Sequence, residues 1–568
     1  MKRLVFTLLP LLAIVFSCAK QQDMYSFGGA VYTISVDMTE IKDVSAANPY
    51  EAVLVVKTDA PYLLVQTPSW ITPSALTFPG SVYGSVISFD IDANYYGMAT
   101  TTAPRSGVIK ISGGRTFVQV PVSQLGHEGR IDPGAMLGGI HNLNEFMDFV
   151  TAVNDGEDPV RWMNADGEVE LLADIDLSSV EEWEPIGNVG VSGNVANATS
   201  PSGTVFHSVF NGGGHTIRGF TARTTLTAEM DTWGLFGYLD HATVKNLNLE
   251  DVNINIDAAA KADAGILAGT MRASTVENVK VTGVVESAGT TAASSRFSIG
   301  GIAGYVFSVY DESTDTCHDS VIKDCTVSLS VDMDCGANVT NGAASVMYGG
   351  IAGFCTGVKE TPSRNRIQGC VNKGNMTMNL GRASGIVPTA NYGTILQGCT
   401  NDASQVNSFV NGRIGQICCN LSINSCLIDC VNNGDLTTSD PQTTTAALVA
   451  LMGDDSVYIE GGSRIANTGT IVGAYPKYLS LLCANNNYFD HVSGVILSGR
   501  RGKYSADGKH SMYNVTSGNI MQHIGYIRPA YADRVTGISY VDPGEVPEGP
   551  GTEGGIEELN PTDGHWNN

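Results

Sequence analysis

The chain has 568 residues, 65 of them glycine, and only 16% carry a charged side chain, a composition that indicates a turn-rich β protein and excludes a disordered chain. The net charge of −25 excludes nucleic acid or an anionic membrane surface as a partner bound through a basic face. Neutral glycans, cationic surfaces and other proteins stay open as partners. The acidic balance is compatible with structural Ca²⁺, but no sequence pattern predicts a metal or another cofactor.

The sequence pattern at the N-terminus predicts a secretory signal peptide. Lys2 and Arg3 precede an apolar run at 4–16 that is too short to cross a bilayer as a mature helix. Residues 15–18 read VFSC and resemble a lipobox, in which a signal peptidase cleaves before a cysteine that is then acylated. The resemblance implies a signal peptide at 1–17, a lipidated Cys18 and a tether at 18–29.

The pattern of residues 30–126 predicts a small β-sandwich. Its strand-like runs are YTISVDM, AVLVVKT, YLLVQ, GSVISFDID, GVIKIS and TFVQVPVSQ. The segments PSWI, VISFDIDAN, RSGVI and VQVPVSQ, in this order, resemble the BACON family. That resemblance implies an Ig-like domain placed before glycan-degrading or glycan-binding modules in gut Bacteroidetes. Trp70 either stacks on a sugar or packs in the core, and we favour the core and a spacer role for this domain.

Residues 127–170 predict a linker and one helix. Asn142 or Asn144 can cap a helix between 141 and 156, whose apolar stripe comprises Leu143, Phe146, Met147, Phe149 and Val150. The open end of a strand stack exposes core and unpaired backbone. We therefore predict that this helix caps the N-terminal end of the domain that follows.

Residues 171–540 contain a degenerate repeat, clearest as WGLFGYLDHATVKNLNL at 233–249. Its first half returns as AGILAG, GGIAGY, GGIAGF and SGIVP, and its second half as VENVKV, IKDCTV, IQGCVN, LQGCTN and LIDCVN. Units this short cannot bury their own apolar face, so the copies must stack. The predicted fold class is all-β: an N-terminal Ig-like β-sandwich, then a right-handed parallel β-helix, or β-solenoid, with a short N-terminal capping helix.

The repeat also carries a family resemblance. Gly234-Leu235-Phe236-Gly237 and its copies resemble the GLUG motif, and the entry segments 170–188 and 209–220 resemble the lead-in to GLUG arrays in Bacteroidetes surface lipoproteins. This resemblance implies a surface-exposed solenoid attached to the outer membrane by lipid and facing the cell exterior. It implies no single activity, because such proteins include adhesins and glycan-associated proteins.

Equivalent positions of the copies predict side-chain ladders, since stacked coils lie about 4.8 Å apart. The fourth position of the second half holds Leu247, Val279, Cys325, Cys370, Cys399 and Cys430. We predict core ladder cysteines, reduced or partly paired, with Cys317, Cys335, Cys418 and Cys419 off the ladder and free to bridge insertions. The asparagines that close the copies, Asn372, Asn401, Asn432 and Asn467, suit turns with φ > 0 and hydrogen bonds between coils.

Aromatic side chains concentrate after residue 469. We favour packing of the last coils and a C-terminal cap over a ligand-binding face. The ligand-binding candidates, together with Trp70, are Tyr478, Tyr488, Phe489, Tyr504 and Tyr513. Residues 541–568 are rich in Pro, Gly and Glu and predict a flexible acidic tail.

No catalytic residue is predicted, because nucleophile-elbow, HExxH, P-loop and EF-hand motifs are missing from the sequence. The third position of the second half offers no acidic or basic set either: it holds Asn246, Asn278, Asp324, Gly369, Gly398 and Asp429. We predict a non-catalytic cell-surface lipoprotein that binds glycans for nutrient capture, or host and matrix surfaces for adhesion. A polysaccharide lyase or glycoside hydrolase, and an accessory subunit of an outer-membrane nutrient transporter, are the alternatives.

Overall fold

The chain forms two compact units, Met1–Ala135 and Met136–Asn568, which are described separately. The computed structural model describes residues 31–44, 46, 50–94, 102–127, 137–181, 183–187, 204–226, 232–258, 261–287, 296–312, 316–334, 346–409, 412–439, 443–453, 456–461, 464–473, 479–504, 510–513, 526–527, 529–541 and 556–557. The predicted signal peptide and its Cys18 lie outside these residues.

The first unit contains two β-sheets. Its strands are β1 (Ile34–Val36), β2 (Ile41–Val44), β3 (Tyr50–Thr58), β4 (Tyr62–Gln66), β5 (Ile71–Pro73), β6 (Thr77–Pro79), β7 (Ser85–Ile91), β8 (Arg105–Gly113) and β9 (Thr116–Gln124). One sheet has the order β1-β3-β7-β5 and the other β2-β9-β8-β4-β6; the β2–β9 pair is parallel and the other pairs are antiparallel. All six predicted runs form strands. The short strands β2, β5 and β6 escaped prediction because three or four residues show no alternation.

Alternating side chains of these strands form one core. Leu54, Ile87, Phe89, Ile109 and Val120 are fully buried in it, and the intervening side chains face outward. This core is separate from the core of the second unit.

The second unit begins with helix α1 (Leu143–Asn154), as predicted. The side chain of Asn142 accepts a hydrogen bond from the backbone N–H of Glu145 and so caps the first turn. The helix buries Phe146 against Trp183, with ring centroids 6.0 Å apart, and Phe149 against Phe210 at 5.9 Å. A 3₁₀ turn, Pro159–Trp162, follows the helix, and a second one spans Pro529–Arg534. Aromatic contacts therefore join α1 to the first strands of the unit.

Three large sheets make up the rest of the unit. The longest, sheet A, has 25 strands: Val169–Glu170, Ile175–Asp176, Val209–Asn211, Thr216–Arg218, Thr221–Leu226, Thr243–Ala258, Thr275–Ser287, Val321–Lys323, Thr326–Asp334, Arg366–Gln368, Val371–Asn372, Asn375–Asn379, Ile395–Gln397, Thr400–Asn401, Gln405–Asn407, Cys426–Ile428, Val431–Asn432, Leu436–Thr438, Tyr458–Glu460, Thr470–Gly473, His491–Ser493, Arg500–Tyr504, His510–Tyr513, Val535–Thr536 and Ile556–Glu557.

Sheet B has eight strands: Thr232–Trp233, Ala262–Gly265, Phe297–Gly300, Val346–Gly349, Arg382–Ser384, Arg413–Gly415, Thr444–Ala446 and Leu479–Ser480. Sheet C has nine: Phe236–Asp240, Ala268–Arg272, Ala303–Phe307, Ala352–Thr356, Val387–Asn391, Cys418–Leu421, Val449–Gly453, Cys483–Tyr488 and Tyr526–Ile527. Two further pairs join Val309–Asp311 to Thr316–His318 and Ile496–Leu497 to Ser539–Tyr540.

The order of strands along the chain is the same in each copy of the repeat. A strand of sheet B, a short corner and a strand of sheet C are followed by strands of sheet A, and each strand pairs in parallel with its counterpart in the next copy. The fold is therefore mostly β with parallel sheets, consistent with the predicted β-solenoid. The parallel pattern stops at Arg500–Tyr504, which pairs antiparallel with His510–Tyr513.

The ladder cysteines are confirmed as buried residues of the core with reduced thiols. Cys325, Cys370, Cys399 and Cys430 are buried and free, and Sγ of Cys399 and of Cys430 lie 3.3 and 3.4 Å from carbonyl oxygens of the preceding coil. Cys418 and Cys419 are also buried free thiols, so they bridge no insertion. Cys335 lies outside the described residues.

The asparagine prediction is half right. The ladder asparagines do hydrogen-bond from coil to coil, but none adopts φ > 0. Asn372, Asn401 and Asn432 lie in strands, and Asn467 forms isolated parallel bridges to Asn432 and Leu497. The left-handed residue is the third of the motif, immediately before the core ladder position. The residues Asn246, Asn278, Asp324, Gly369, Gly398 and Asp429 all have φ between 50° and 64° there. This position bends the strand of sheet A, and it selects Asn, Asp or Gly because these tolerate the left-handed region.

Candidate functional site

The corner between sheets B and C brings their outward faces together. A Cβ added to Gly304 of sheet C would lie 2.4 Å from the backbone nitrogen of Ala264 in sheet B, and one added to Gly353 would lie 2.7 Å from that of Ile299. Only glycine permits so close an approach. The second glycine of the Gly-x-x-Gly half-repeat therefore closes the corner.

We call the line where these faces meet the corner groove. On the side of sheet B, strand register aligns one residue per coil: Thr232, Asp263, Ser298, Met347, Arg382, Arg413 and Thr444. On the side of sheet C, the aligned residues are Tyr238, Thr270, Tyr305 and Phe354, then Thr389, Asn420 and Leu451. Contacts cross the groove: Oγ1 of Thr389 lies 3.7 Å from Sδ of Met347, and Nη1 of Arg413 donates to Oδ1 of Asn420 at 3.4 Å.

Aromatic rings fill the first half of the groove. Tyr238, Tyr305 and Phe307 are buried in a cluster separate from the main core, and Phe354 packs on it half-exposed. The rings of Tyr305 and Phe354 stack with centroids 5.4 Å apart and planes inclined by 23°. The guanidinium carbon of Arg296 lies 4.1 Å and 5.0 Å from these two ring centroids, within cation–π distance.

An ion pair lies beside these rings. Nη2 of Arg296 is 2.7 Å from both carboxylate oxygens of Asp263, and Asp263 is almost wholly buried. Burial raises the pKa of Asp263, while the charge of Arg296 acts in the opposite direction. Burial also raises the pKa of the Tyr305 hydroxyl. The phenol stays neutral at physiological pH, and its ring contributes an apolar face.

A second ion pair lies two residues further along sheet C. Nη1 of Arg272 is 3.0 Å from Oδ2 of Asp240, whose Oδ1 is 2.9 Å from Nδ1 of His241. The His241 ring contacts the His318 ring edge-on, with centroids 5.6 Å apart. Each of these two groove carboxylates is thus bound to an arginine.

The second half of the groove is open and basic. Arg382, Arg413, Asn420, Thr444 and Leu451 are all half-buried, in contrast to the closed first half. Burial and the neighbouring Arg413 lower the pKa of Arg382, which remains a cation because its ordinary value is very high. Charge and neutral polar groups therefore face the same opening.

Trp70 lies in the first unit, half-buried against the core. The guanidinium carbon of Arg105 lies 4.5 Å from the centroid of its ring, so one ring face is already covered. A sugar stacking on that face would have to displace Arg105.

The described C-terminal candidates lie on different elements of the fold. The Phe489 side chain is fully buried, with its ring centroid 5.6 Å from that of Tyr531. Tyr504 and Tyr513 lie in the antiparallel strands of sheet A, while Tyr488 ends a strand of sheet C. Tyr478, like Cys18, lies outside the described residues.

Sequence reasoning missed the corner groove. It compared polar residues only in the second half of the repeat, whereas the groove residues lie on both sides of the Gly-x-x-Gly segment in the first half. The sequence did contain a signal for it. Arg382, in RASG at 382–385, and Arg413, in RIGQ at 413–416, are as far apart in sequence as the ladder cysteines Cys399 and Cys430, so the two arginines occupy the same position of consecutive copies.

No metal-binding group of three or more His, Cys, Asp or Glu side chains occurs among the residues that the structure describes. The structural Ca²⁺ considered from composition stays a prediction. In the same described ranges, no helix is both long enough and apolar enough to cross a bilayer.

Comparison with known proteins gives no family. No family model and no curated protein matches the chain. Among solved structures, a Bacteroides ovatus GH5 xyloglucanase in complex with a XXXG heptasaccharide is similar at 11% identity and a TM-score of 0.15, over 33% of this chain and 37% of that one. An IgA1 protease is similar at 13% identity and a TM-score of 0.34, over 84% of this chain and 30% of its own. The chain thus spans well under half the length of either protein, and neither likeness defines a shared fold.

Proposed function

We propose that this protein is a non-catalytic surface lipoprotein that binds glycans through the corner groove. In this proposal Cys18 carries the lipid anchor in the outer membrane, facing the exterior. The first unit is an Ig-like BACON domain that acts as a spacer, and the second is a right-handed GLUG-type β-helix. The sequence motifs that resemble these families support the assignment.

The observation that carries the proposal is the composition of the corner groove. Phe354 offers a half-exposed ring where the filled part of the groove gives way to the open part, and the half-buried Asn420 and Thr444 lie further along the groove with neutral polar groups. Sugars present apolar ring faces and many hydroxyl groups, so aromatic rings beside hydrogen-bonding side chains suit them. A regular groove with one position per coil also suits a polymer.

The groove carboxylates support binding over hydrolysis. Glycoside hydrolysis uses two carboxyl groups, one of which donates a proton to the leaving group while the other acts as base or nucleophile. Asp263 and Asp240 are each bound to an arginine, at 2.7 and 3.0 Å. Such pairing occupies the oxygens that catalysis would need.

Affinity electrophoresis tests the proposal. The mature protein carrying Cys18→Ser is run through native gels containing plant, host or microbial polysaccharides, and the same mixtures are assayed for new reducing ends and unsaturated products. We expect retardation without products, and a loss of affinity of about fivefold or more for Phe354→Ala. Phe117→Ala is the matched control, because Phe117 is 53% exposed and belongs to the first unit.

Three outcomes would contradict the proposal. New products would make the protein an enzyme, and an absence of both retardation and products would exclude glycan binding within the panel. Equal losses for Phe354→Ala and Phe117→Ala would remove the groove as the binding site.

A further inference from the structure

Two arginines occupy consecutive rungs of the corner groove. Arg382 and Arg413 are register partners on neighbouring parallel strands of sheet B, and strands in a sheet lie about 4.8 Å apart. Guanidinium groups keep their charge at every physiological pH. The fold therefore holds two positive charges side by side, and both side chains are half-buried.

Nothing in the described part of the chain neutralises this pair. Nη1 of Arg382 lies 3.8 Å from Sδ of Met347, a weak acceptor, and its buried Nε has no hydrogen-bond partner there. Arg413 donates to the neutral amide of Asn420. By contrast, Arg272 and Arg296, in the first half of the same groove, each hold a carboxylate.

Such an arrangement costs stability unless an anion joins it. Like charges placed directly opposite on neighbouring strands repel, and a partly desolvated charge without a partner carries a desolvation penalty. The chain has 57 acidic residues against 32 basic ones, yet the groove positions around the pair are Met347, Thr389 and Asn420. The planar N–H groups of two arginines are well matched to the oxygens of a carboxylate or a sulfate.

We propose that Arg382 and Arg413 form a binding site for an oxyanion carried by a glycan, the carboxylate of a uronic acid or a sulfate ester. The inference rests on the proposed glycan binding and narrows it to acidic polysaccharides. Asn420 and Thr444, both half-buried, flank the pair with neutral polar groups suited to sugar hydroxyls. The ligand supplies the negative charge that the groove lacks.

Paired polysaccharides test the charge requirement. Polygalacturonate and its methyl ester share a backbone and differ in the free carboxylate, and dextran sulfate and dextran differ in the sulfate ester. Affinities of the mature protein carrying Cys18→Ser are measured for each polymer by affinity electrophoresis and calorimetry. We expect binding to polygalacturonate, to dextran sulfate or to both, and at least tenfold weaker binding to the uncharged partner of each pair.

Variants locate the site. Arg382→Gln and Arg413→Gln are each expected to weaken binding of the preferred acidic polymer about tenfold, and the double variant further. Replacing both arginines by lysine keeps the charge and removes the planar N–H pair, so an intermediate loss is expected. Arg366→Gln is the matched control, since Arg366 is exposed on sheet A, and it should change affinity less than twofold.

Thermal stability separates binding from a structural role. Removing the repulsion should leave the Tm of the double Gln variant unchanged or raise it, while a lowered Tm would show that the pair holds the fold together. Binding of neutral glycans only would overturn this inference and leave the proposed function standing. Binding of no glycan would remove both, and acidic-polymer binding unchanged in the double variant would exclude these arginines as the site.

Discussion

Asn401 and Asn432 occupy the same position in consecutive coils, and Nδ2 of Asn401 donates to Oδ1 of Asn432 at 2.9 Å. The pattern continues from Asn372 to Asn401 at 3.1 Å and from Asn432 to Asn467 at 2.8 Å. All four side chains are buried. Asn401 and Asn432 each accept from one coil and donate to the next, so the ladder satisfies polar groups that would otherwise be costly to bury.

Replacing Asn432 by Ala should therefore destabilise the second unit. The change removes the donor to Oδ1 of Asn467, the donor to the Gly434 carbonyl at 2.9 Å and the acceptor for Asn401. We expect the free energy of unfolding to fall by about 2 to 4 kcal/mol, measured by chemical denaturation. Asn433→Ala is the control, because Asn433 is exposed and its bond to Asp402 lies at the surface, and its effect should stay below about 1 kcal/mol. Equal losses of unfolding free energy for Asn432→Ala and Asn433→Ala would mean that the buried ladder adds no stability.

The ladders were predictable because, when copies of a repeat stack, the side chains at equivalent positions of the copies lie one above another. Cys399 and Cys430 could be assigned to one ladder from spacing alone, and the helix after Asn142 from its cap and apolar stripe. The left-handed turn was misassigned to the ladder asparagines because Asn suits both a turn and a buried amide stack. Only the φ of Asn278 and its equivalents separates the two roles.

The corner groove was not predictable in the same way. Its residues lie on two strands that face each other across a glycine corner, and no sequence rule gives the angle between sheets B and C. The contact of Arg413 with Asn420 spans that corner. A repeat alignment can show that Arg382 and Arg413 share a rung, but not that the rung faces a groove.

Gly398 provides a test of the left-handed position. Its φ is 63°, and a Cβ added there would meet nothing closer than the backbone nitrogen of Gly369 at 4.0 Å, so strain in φ is the main cost of a side chain. Gly398→Ala should lower the free energy of unfolding by about 1 kcal/mol. Gly398→Asn should cost less, because Asn246 and Asn278 already occupy the equivalent position. An Ala variant as stable as the parent would show that the bend tolerates any residue.

Buried thiols should make the protein sensitive to alkali. Burial raises the pKa of Cys355 and of Cys419 from 9.0 to about 12, so the folded protein holds these protons after the unfolded chain has lost them. Their stabilising effect is complete below pH 9 and disappears as the pH rises towards 12. At pH 10 the loss is about 1 kcal/mol for each thiol.

The double variant Cys355→Ala/Cys419→Ala checks this dependence. Denaturation midpoints at pH 7 and pH 10 should differ less for the variant than for the parent, even if the variant is less stable at both values. Identical pH dependence in the two proteins would show that these thiols do not titrate as described.

The buried pair of Asp263 and Arg296 gives the sharpest test of the groove. Arg296→Gln leaves a buried carboxylate without its cation and should cost about 3 to 5 kcal/mol near neutral pH, whereas the double variant with Asp263→Asn should recover most of that loss. Burial already raises the pKa of Asp263, and without Arg296 the pKa should rise further.

A carboxyl group whose folded pKa lies above its unfolded pKa destabilises the fold as the pH rises from the unfolded value to the folded one. Arg296→Gln should thus be more stable at pH 5 than at pH 8, and the double variant should lose that difference. A single variant with no pH dependence of this sign would mean that Asp263 is hydrated once Arg296 is removed, and that the groove is open at this coil.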